Sequence, residues 1–209
     1  MFLLILPLVS FLYSSVGHGG ASGYLALMAL FSFPSLMMKP TALLLNLFVA
    51  GISAYYFFKH GHLKPKLFLA FALTSIPASF VGGFINVDPG IYKIILGLLL
   101  IFAVLRILLQ PKKSEQHIKN FSWPAALVIG LIIGFFSGLI GIGGGIILSP
   151  LILLLGWADV KQTAAVSALF IWVNSLAGMS GLLVSGTLLS PDYFVLAIIA
   201  LFGGLLGAR

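Results

Sequence analysis

The sequence predicts an all-α polytopic membrane protein made of two inverted repeats, each a glycine-broken helical hairpin followed by membrane-spanning helices. Three observations predict it. The first is composition: of 209 residues, 61% are hydrophobic and only 7% charged, with a mean hydropathy of +1.20. A soluble domain carries about 25% charged residues. The second is a duplicated glycine-rich break, and the third is an uneven spread of basic residues among the loops. The +7 formal charge comes from eleven Lys and Arg dispersed among loops, which is how membrane proteins set their orientation rather than a nucleic-acid footprint. No cysteine is present, which excludes disulfides, thiolate metal sites and cysteine redox chemistry.

The most telling stretch is Gly141-Ile142-Gly143-Gly144-Gly145, set between the apolar arms Pro124–Ile140 and Ile146–Gly156. Glycine is costly in a helix, so four glycines together should unwind the chain. In hydrocarbon the freed backbone groups must find partners in protein or in a wet cavity. A short helix starting near Gly145 would then aim orphan N–H groups and a positive dipole end into that cavity. This is the physical form of an anion site in a transporter. The plainer reading, that the glycines serve close helix packing, weighs about the same on this motif alone.

A second copy tips the balance. Gly17-His18-Gly19-Gly20-Ala21 aligns with Gly141–Gly145 at an offset of 124. Lys39-Pro40-Thr41-Ala42 matches Lys161-Gln162-Thr163-Ala164 at 122, and Gly61-His62-Leu63 matches Gly186-Thr187-Leu188 at 125. Ala78, Ser79, Gly82 and Gly83 fall at 125 on Gly203, Gly204, Gly207 and Ala208. Offsets this steady, at helix breakers and polar positions, indicate an internal duplication.

In order, the first repeat covers 1–110, with a broken segment at 2–33 and helices at 41–58, 67–85 and 91–110. A basic linker fills 111–121. The second repeat covers 122–209, with a broken segment at 123–156 and helices at 162–184 and 192–208. A full crossing needs about 20 apolar residues, which the unbroken segments approach or meet. Residues 2–33 as one helix would run about 48 Å, too long for one crossing of a roughly 30 Å core. A hairpin of two arms is therefore expected. Met1–Tyr13 has the apolar run of a signal peptide but no basic start, and it belongs to the repeat, so it is expected to be retained.

Charge tests the hairpins. With both present, one side collects Lys59, Lys64, Lys66, Arg106, Lys112, Lys113, Lys119, Lys161 and Arg209 against Lys39 and Lys93, nine to two; single crossings would give seven to four. The positive-inside rule favours hairpins. Three crossings per repeat then invert the halves. The second half has no counterpart to helix 91–110, so either the fold closes with fewer helices or this is a shortened form, and a second copy of the chain could cover the face left open.

The motif also carries a resemblance. The run G-x-x-x-G-x-x-G-x-G-G-G-x-x-x-x-P from Gly134 to Pro150, continued to Thr163, resembles the TauE/SafE family of sulfite and organosulfonate exporters, and the likeness extends over both halves. The first copy departs from it, with His18 in place of an aliphatic residue and Ala26 where the second copy has Pro150. The resemblance implies a secondary transporter of a small, oxidised sulfur anion, working by alternating access.

The candidate substrate-binding residues are Gly17, His18, Gly19 and Gly20 in the first break and Gly141, Gly143, Gly144 and Gly145 in the second, with Lys39, Thr41, Asn46, Lys161, Thr163 and Asn174. The four carboxylates, Asp88, Glu115, Asp159 and Asp192, fall in loops or at helix ends, so no intramembrane acid serves as proton relay or sodium ligand. That leaves a neutral to positive cavity, suited to an anion. His18, with an ordinary pKa near 6.5, either takes a proton with the substrate or is a buried histidine bonded to a freed carbonyl. Lys39 and Lys161 precede the helices expected to start at Thr41 and Thr163; they either pair with an anion or snorkel to headgroups. The two threonines are N-caps on this reading, and Asn46 and Asn174 either bind substrate or join helices. Trp123 and Trp157 are expected as interfacial anchors, and Trp172 as a cavity-lining residue. No cofactor, metal or nucleic acid is expected; the partners are a small anion, membrane lipid and a second copy. A channel, an assembly subunit and, last, an intramembrane enzyme are the competing classes.

Overall fold

The computed structural model describes residues 2–15, 19–108, 118–187 and 191–207. Gly17, His18, Lys112, Lys113, Glu115, His117, Leu188, Ala208 and Arg209 lie outside the described residues, as do the side chains of Arg106 and Asp192. Among the described residues every regular element is an α-helix: α1 (Phe2–Ser15), α2 (Ala21–Leu30), α3 (Ser35–Lys59), α4 (Pro65–Phe84), α5 (Pro89–Leu108), α6 (Trp123–Ile140), α7 (Gly145–Leu155), α8 (Val160–Val184) and α9 (Pro191–Gly207). Four of them, α3, α4, α6 and α8, are long and apolar enough to cross a membrane. Large apolar side chains also cover the outside. Ile94 and Leu98 on α5 and Ile198 and Phe202 on α9 are each more than half exposed, which suits lipid and not water.

Both broken segments are hairpins. Phe2 at the start of α1 stacks on Phe31 and Phe33 just beyond α2, with ring centroids 5.6 and 4.8 Å apart. Nearer the break, the Ser22 hydroxyl donates to the Tyr13 hydroxyl at 3.0 Å. In the second hairpin the Lys119 N–H donates to the Gly156 carbonyl at 2.7 Å, and Phe121 packs on Trp157 at 6.2 Å. Each chain segment thus returns to the end it left. The two bases lie at opposite ends of α3. Ser35 follows the first base directly, whereas Lys64, past the far end of α3, donates to the Trp157 carbonyl at 3.2 Å.

Between hydrocarbon-facing helices there is little hydrophobic drive, so close packing must do the work. Glycines on α6 repeat every four residues along one face. A side chain at Gly130, Gly134 or Gly138 would run into the carbonyl of Phe71, Ser75 or Ser79 on α4. The contacts advance in step, so α4 and α6 run parallel. The pair α1 and α9 uses the same device, Gly203 against the Pro7 carbonyl and Gly207 against that of Phe11. Gly82 against the Phe135 carbonyl corresponds to Gly207 against Phe11 at offsets of 125 and 124.

Most helix limits fall within two residues of the sequence expectation. Helix α3 is the exception, starting at Ser35 rather than 41. Pro40 comes early in it, where one missing N–H costs a bond without ending the helix, and the apolar run continues to Lys59. Thr41 is therefore not an N-cap; its hydroxyl donates to the Met37 carbonyl at 2.6 Å. Thr163 is not one either. Asp159 caps α8 in a capping box, accepting from the Gln162 N–H at 2.8 Å while the Gln162 side chain accepts from the Asp159 N–H at 3.3 Å. The acid reaches the first-turn donors more favourably than a threonine already inside the turn. Trp157 is no interfacial anchor, since it is only 7% exposed and packs between Phe71 and Phe121.

Candidate functional site

The two breaks end in left-handed glycines. Gly20 caps α2 at φ 88°, and Gly141, Gly143 and Gly144 carry φ of 84°, 75° and 75° across the second break. A residue with a Cβ is strained there by about 1–2 kcal/mol, so the turn that ends α6 and starts α7 at Gly145 depends on glycine. The first N–H groups of α2 and α7 have no partner inside their helices and carry the positive dipole ends.

Both breaks come to one place, where α3 crosses α8. A Cβ on Gly19 would sit 2.7 Å from Asn46 Oδ1 and 2.8 Å from Ile171 Cγ2. A Cβ on Gly143 would sit 2.6 Å from Asn46 Nδ2 and 2.8 Å from the same Ile171 methyl. The backbone of each break therefore approaches the amide closely, one on each side. Gly145 packs on Ile171, and Gly144 on Ile133 and Phe170. Asn46 is fully buried. Its Nδ2 donates to the Ser175 hydroxyl at 3.2 Å, and its Oδ1 has no partner. A buried amide acceptor left alone costs about 1–3 kcal/mol, and this one faces the two breaks.

The other candidates are dispersed. Lys39 is buried on the second turn of α3, and its Nζ donates to the carbonyls of Gly82, Gly83 and Ile85 at 3.3, 2.8 and 3.1 Å. Its ammonium closes the C-terminal end of α4, where a cation is favoured, rather than reaching into a break. Lys161 is exposed on the first turn of α8, so the two lysines are not placed alike. Asn174 donates to the Phe170 carbonyl of its own helix at 2.8 Å, and its Oδ1 is unpartnered, as is the buried Thr163 hydroxyl. Asp88 and Asp159 cap α5 and α8, away from the breaks. Trp172 is 37% exposed and meets Gly51 near the outside of the bundle. Gly17 and His18 lie outside the described residues.

Two residues beside the breaks escaped the reading of the sequence. Ile171 stands 125 positions after Asn46, an offset shared with the later repeat matches but not with the nearer one at 122, and as an isoleucine in an apolar helix it looks like filler. Tyr92 on α5 donates to the Ile140 carbonyl at 2.8 Å, satisfying a backbone group freed where α6 stops. Nothing local in the sequence announces that partner.

Comparisons with known proteins agree with this architecture. The family model "Sulfite exporter TauE/SafE" matches residues 2–209. A protein of Sinorhizobium fredii named "Probable membrane transporter protein" is 38% identical over 210 residues, covering 96% of this chain and 85% of its own length. A "Probable membrane transporter protein" of Bacillus subtilis is 26% identical, covering 80% of this chain and 69% of itself. "Sulfite exporter TauE/SafE family protein 6" of Arabidopsis thaliana is 30% identical, covering 72% of this chain and 38% of itself. No solved structure matches the chain. With a family match over nearly its whole length and glycine-broken hairpins set among apolar spans, the chain belongs to the TauE/SafE family and is a multi-pass membrane transporter.

Proposed function

We propose that the protein moves a small oxyanion, sulfite or an organosulfonate-type sulfur compound, by alternating access, with the anion held between the two breaks. The observation that carries this reading is the meeting of Gly19 and Gly143, from opposite halves of the chain, on the buried amide of Asn46, whose Oδ1 has no partner. Two helix N-termini supply N–H donors and positive dipole ends, Asn46 orients the ligand, and Ile171 makes the opposite wall apolar. The two halves are inverted across the membrane on this reading. The hairpin bases at opposite ends of α3 support that, as does the exchange of packing partners between α4·α6 and α1·α9.

Flux into proteoliposomes tests the substrate. Sulfite or sulfoacetate flux should exceed that of sulfate, thiosulfate and small carboxylates, saturate with concentration, and fall at least tenfold in Asn46→Leu, the loss of about 1.4 kcal/mol of binding. Non-saturating flux would indicate a channel instead, and unchanged flux in Asn46→Leu would remove the amide from the site. Run across pH, the same assay addresses His18: if a proton travels on it, His18→Gln flattens the profile.

Inversion has its own test. Single cysteines at Lys64→Cys and Ser185→Cys should react with an impermeant thiol reagent from opposite faces of the membrane. Reaction from the same face would require parallel halves.

A further inference from the structure

We propose that the chamber beside Lys39 is a second anion station, separate from the Asn46 junction and opening at the end of the bundle where α3 begins. The cavity holds about 290 Å³ and is walled by the first turn of α3, the α4–α5 loop and the ends of α6 and α8. Lys39, 7% exposed, forms part of the wall.

Buried charges are ordinarily paired, and this one has carbonyls for partners and no carboxylate among the described residues. Asp88, in the adjoining loop, directs its Oδ1 to the Gly90 and Ile91 N–H groups at 2.8 and 3.4 Å. The carbonyls of Gly82, Gly83 and Ile85 take up all three N–H donors of the ammonium but carry only partial negative charge, so Lys39 acts on the chamber through its positive charge and not by a hydrogen bond. A second positive source faces the same space. Ser35 and Leu36, the first residues of α3, line the chamber. The N-cap of α3 is Pro34, which gives no side-chain cap, so the dipole end of that long helix is open there.

The ligand chemistry is thus a compact oxyanion, a sulfonate or a phosphate ester, in a space too small for a large metabolite. Two sources carry that chemistry, a free anion and a lipid headgroup, and the free anion is the one proposed. The chamber adjoins the second break, since the Lys39 backbone lies against Gly141 and Tyr92, another wall residue, donates to the Ile140 carbonyl at 2.8 Å. The station's place on a route rests on the anion-transport reading; its binding of an anion does not.

The chain has no cysteine, so Asn86→Cys, at the exposed rim of the chamber, is a unique reporter. In phosphatidylcholine vesicles it should react faster with an anionic than with a cationic methanethiosulfonate reagent. Adding Lys39→Met should lower that rate ratio ~10-fold, whereas Lys39→Arg should preserve it. Millimolar methanesulfonate should slow the labelling in the Asn86→Cys protein and in Lys39→Arg but not in Lys39→Met. A ratio indifferent to Lys39→Met, or no protection by methanesulfonate in Asn86→Cys alone, overturns the proposal; the second measurement stands even if Lys39→Met fails to fold. Protection that disappears when phosphatidylglycerol replaces phosphatidylcholine assigns the cation to a headgroup and likewise overturns it. Protection without any sulfite or sulfonate flux would sink the transport reading and leave the station in place.

Discussion

Replacing Gly143 by alanine is expected to reduce transport to background while the protein still inserts and folds. Two effects combine at this residue. Its φ of 75° lies in the left-handed region, where a Cβ costs about 1–2 kcal/mol. That Cβ would also stand 2.6 Å from Asn46 Nδ2 and 2.8 Å from Ile171, so the amide must leave its place between the breaks. Gly61→Ala separates the two effects. Gly61 has φ 73° in the loop after α3, and a Cβ there meets nothing within 4 Å. It takes the same backbone strain with no displaced neighbour, and its flux should stay near the parent's. Parental flux in Gly143→Ala would show that close approach to Asn46 is irrelevant to transport. Equal loss in both variants would put the defect in backbone strain alone.

Gly138→Leu should have the opposite character, a loss of folded protein rather than of transport by folded protein. A side chain at Gly138 would enter the Ser79 carbonyl and crowd the Gly83 N–H at 2.8 Å, and backbone cannot step aside as a flexible side chain can. Overpacking a well-filled interior costs about 1–3 kcal/mol when side chains can adjust, so an obstruction by backbone should exceed that range. It would part α6 from α4 along the seam that also includes Gly130 and Gly134. Gly97→Leu on α5 is the control, because nothing lies within 4 Å of a Cβ there, and leucine has better helix propensity than glycine by about 0.5–1 kcal/mol. Melting of the purified proteins in detergent should show Gly138→Leu strongly destabilised or unrecoverable and Gly97→Leu at or above the parent. Equal stability of Gly138→Leu and the parent would mean that the seam does not hold the two helices.

The Lys39 and threonine assignments show where local reasoning failed. Lys39-Pro40-Thr41 reads as a helix start, since proline restricts the residue before it and threonine is a sound cap. In the fold these residues lie inside α3, because the apolar stretch on both sides and the end of α4 at the Lys39 ammonium outweigh one missing N–H. The pairing of Lys39 with Lys161 failed for the same reason: the sequence offset of 122 aligns their letters, but Lys39 lies in the second turn of its helix and Lys161 in the first.

What the sequence by itself determined is the class and the chain path: an apolar, helical membrane protein, interrupted where four glycines fall together, with α7 beginning at Gly145. These properties are local. Span length follows from the thickness of hydrocarbon, and a break follows from the backbone freedom of glycine, so neither needs to know what lies across the bundle. Only the tertiary structure decided which residues face the breaks. That Asn46 receives both glycine turns while Asn174 bonds its own helix depends on the crossing of α3 and α8, and both asparagines look alike in their apolar stretches. The same holds for the Lys39 ammonium at the end of α4 and for the Tyr92 hydroxyl at the end of α6. Carbonyls freed at a helix end take whatever donor the packing brings within 3 Å, and packing register is a property of two surfaces rather than of either sequence segment alone.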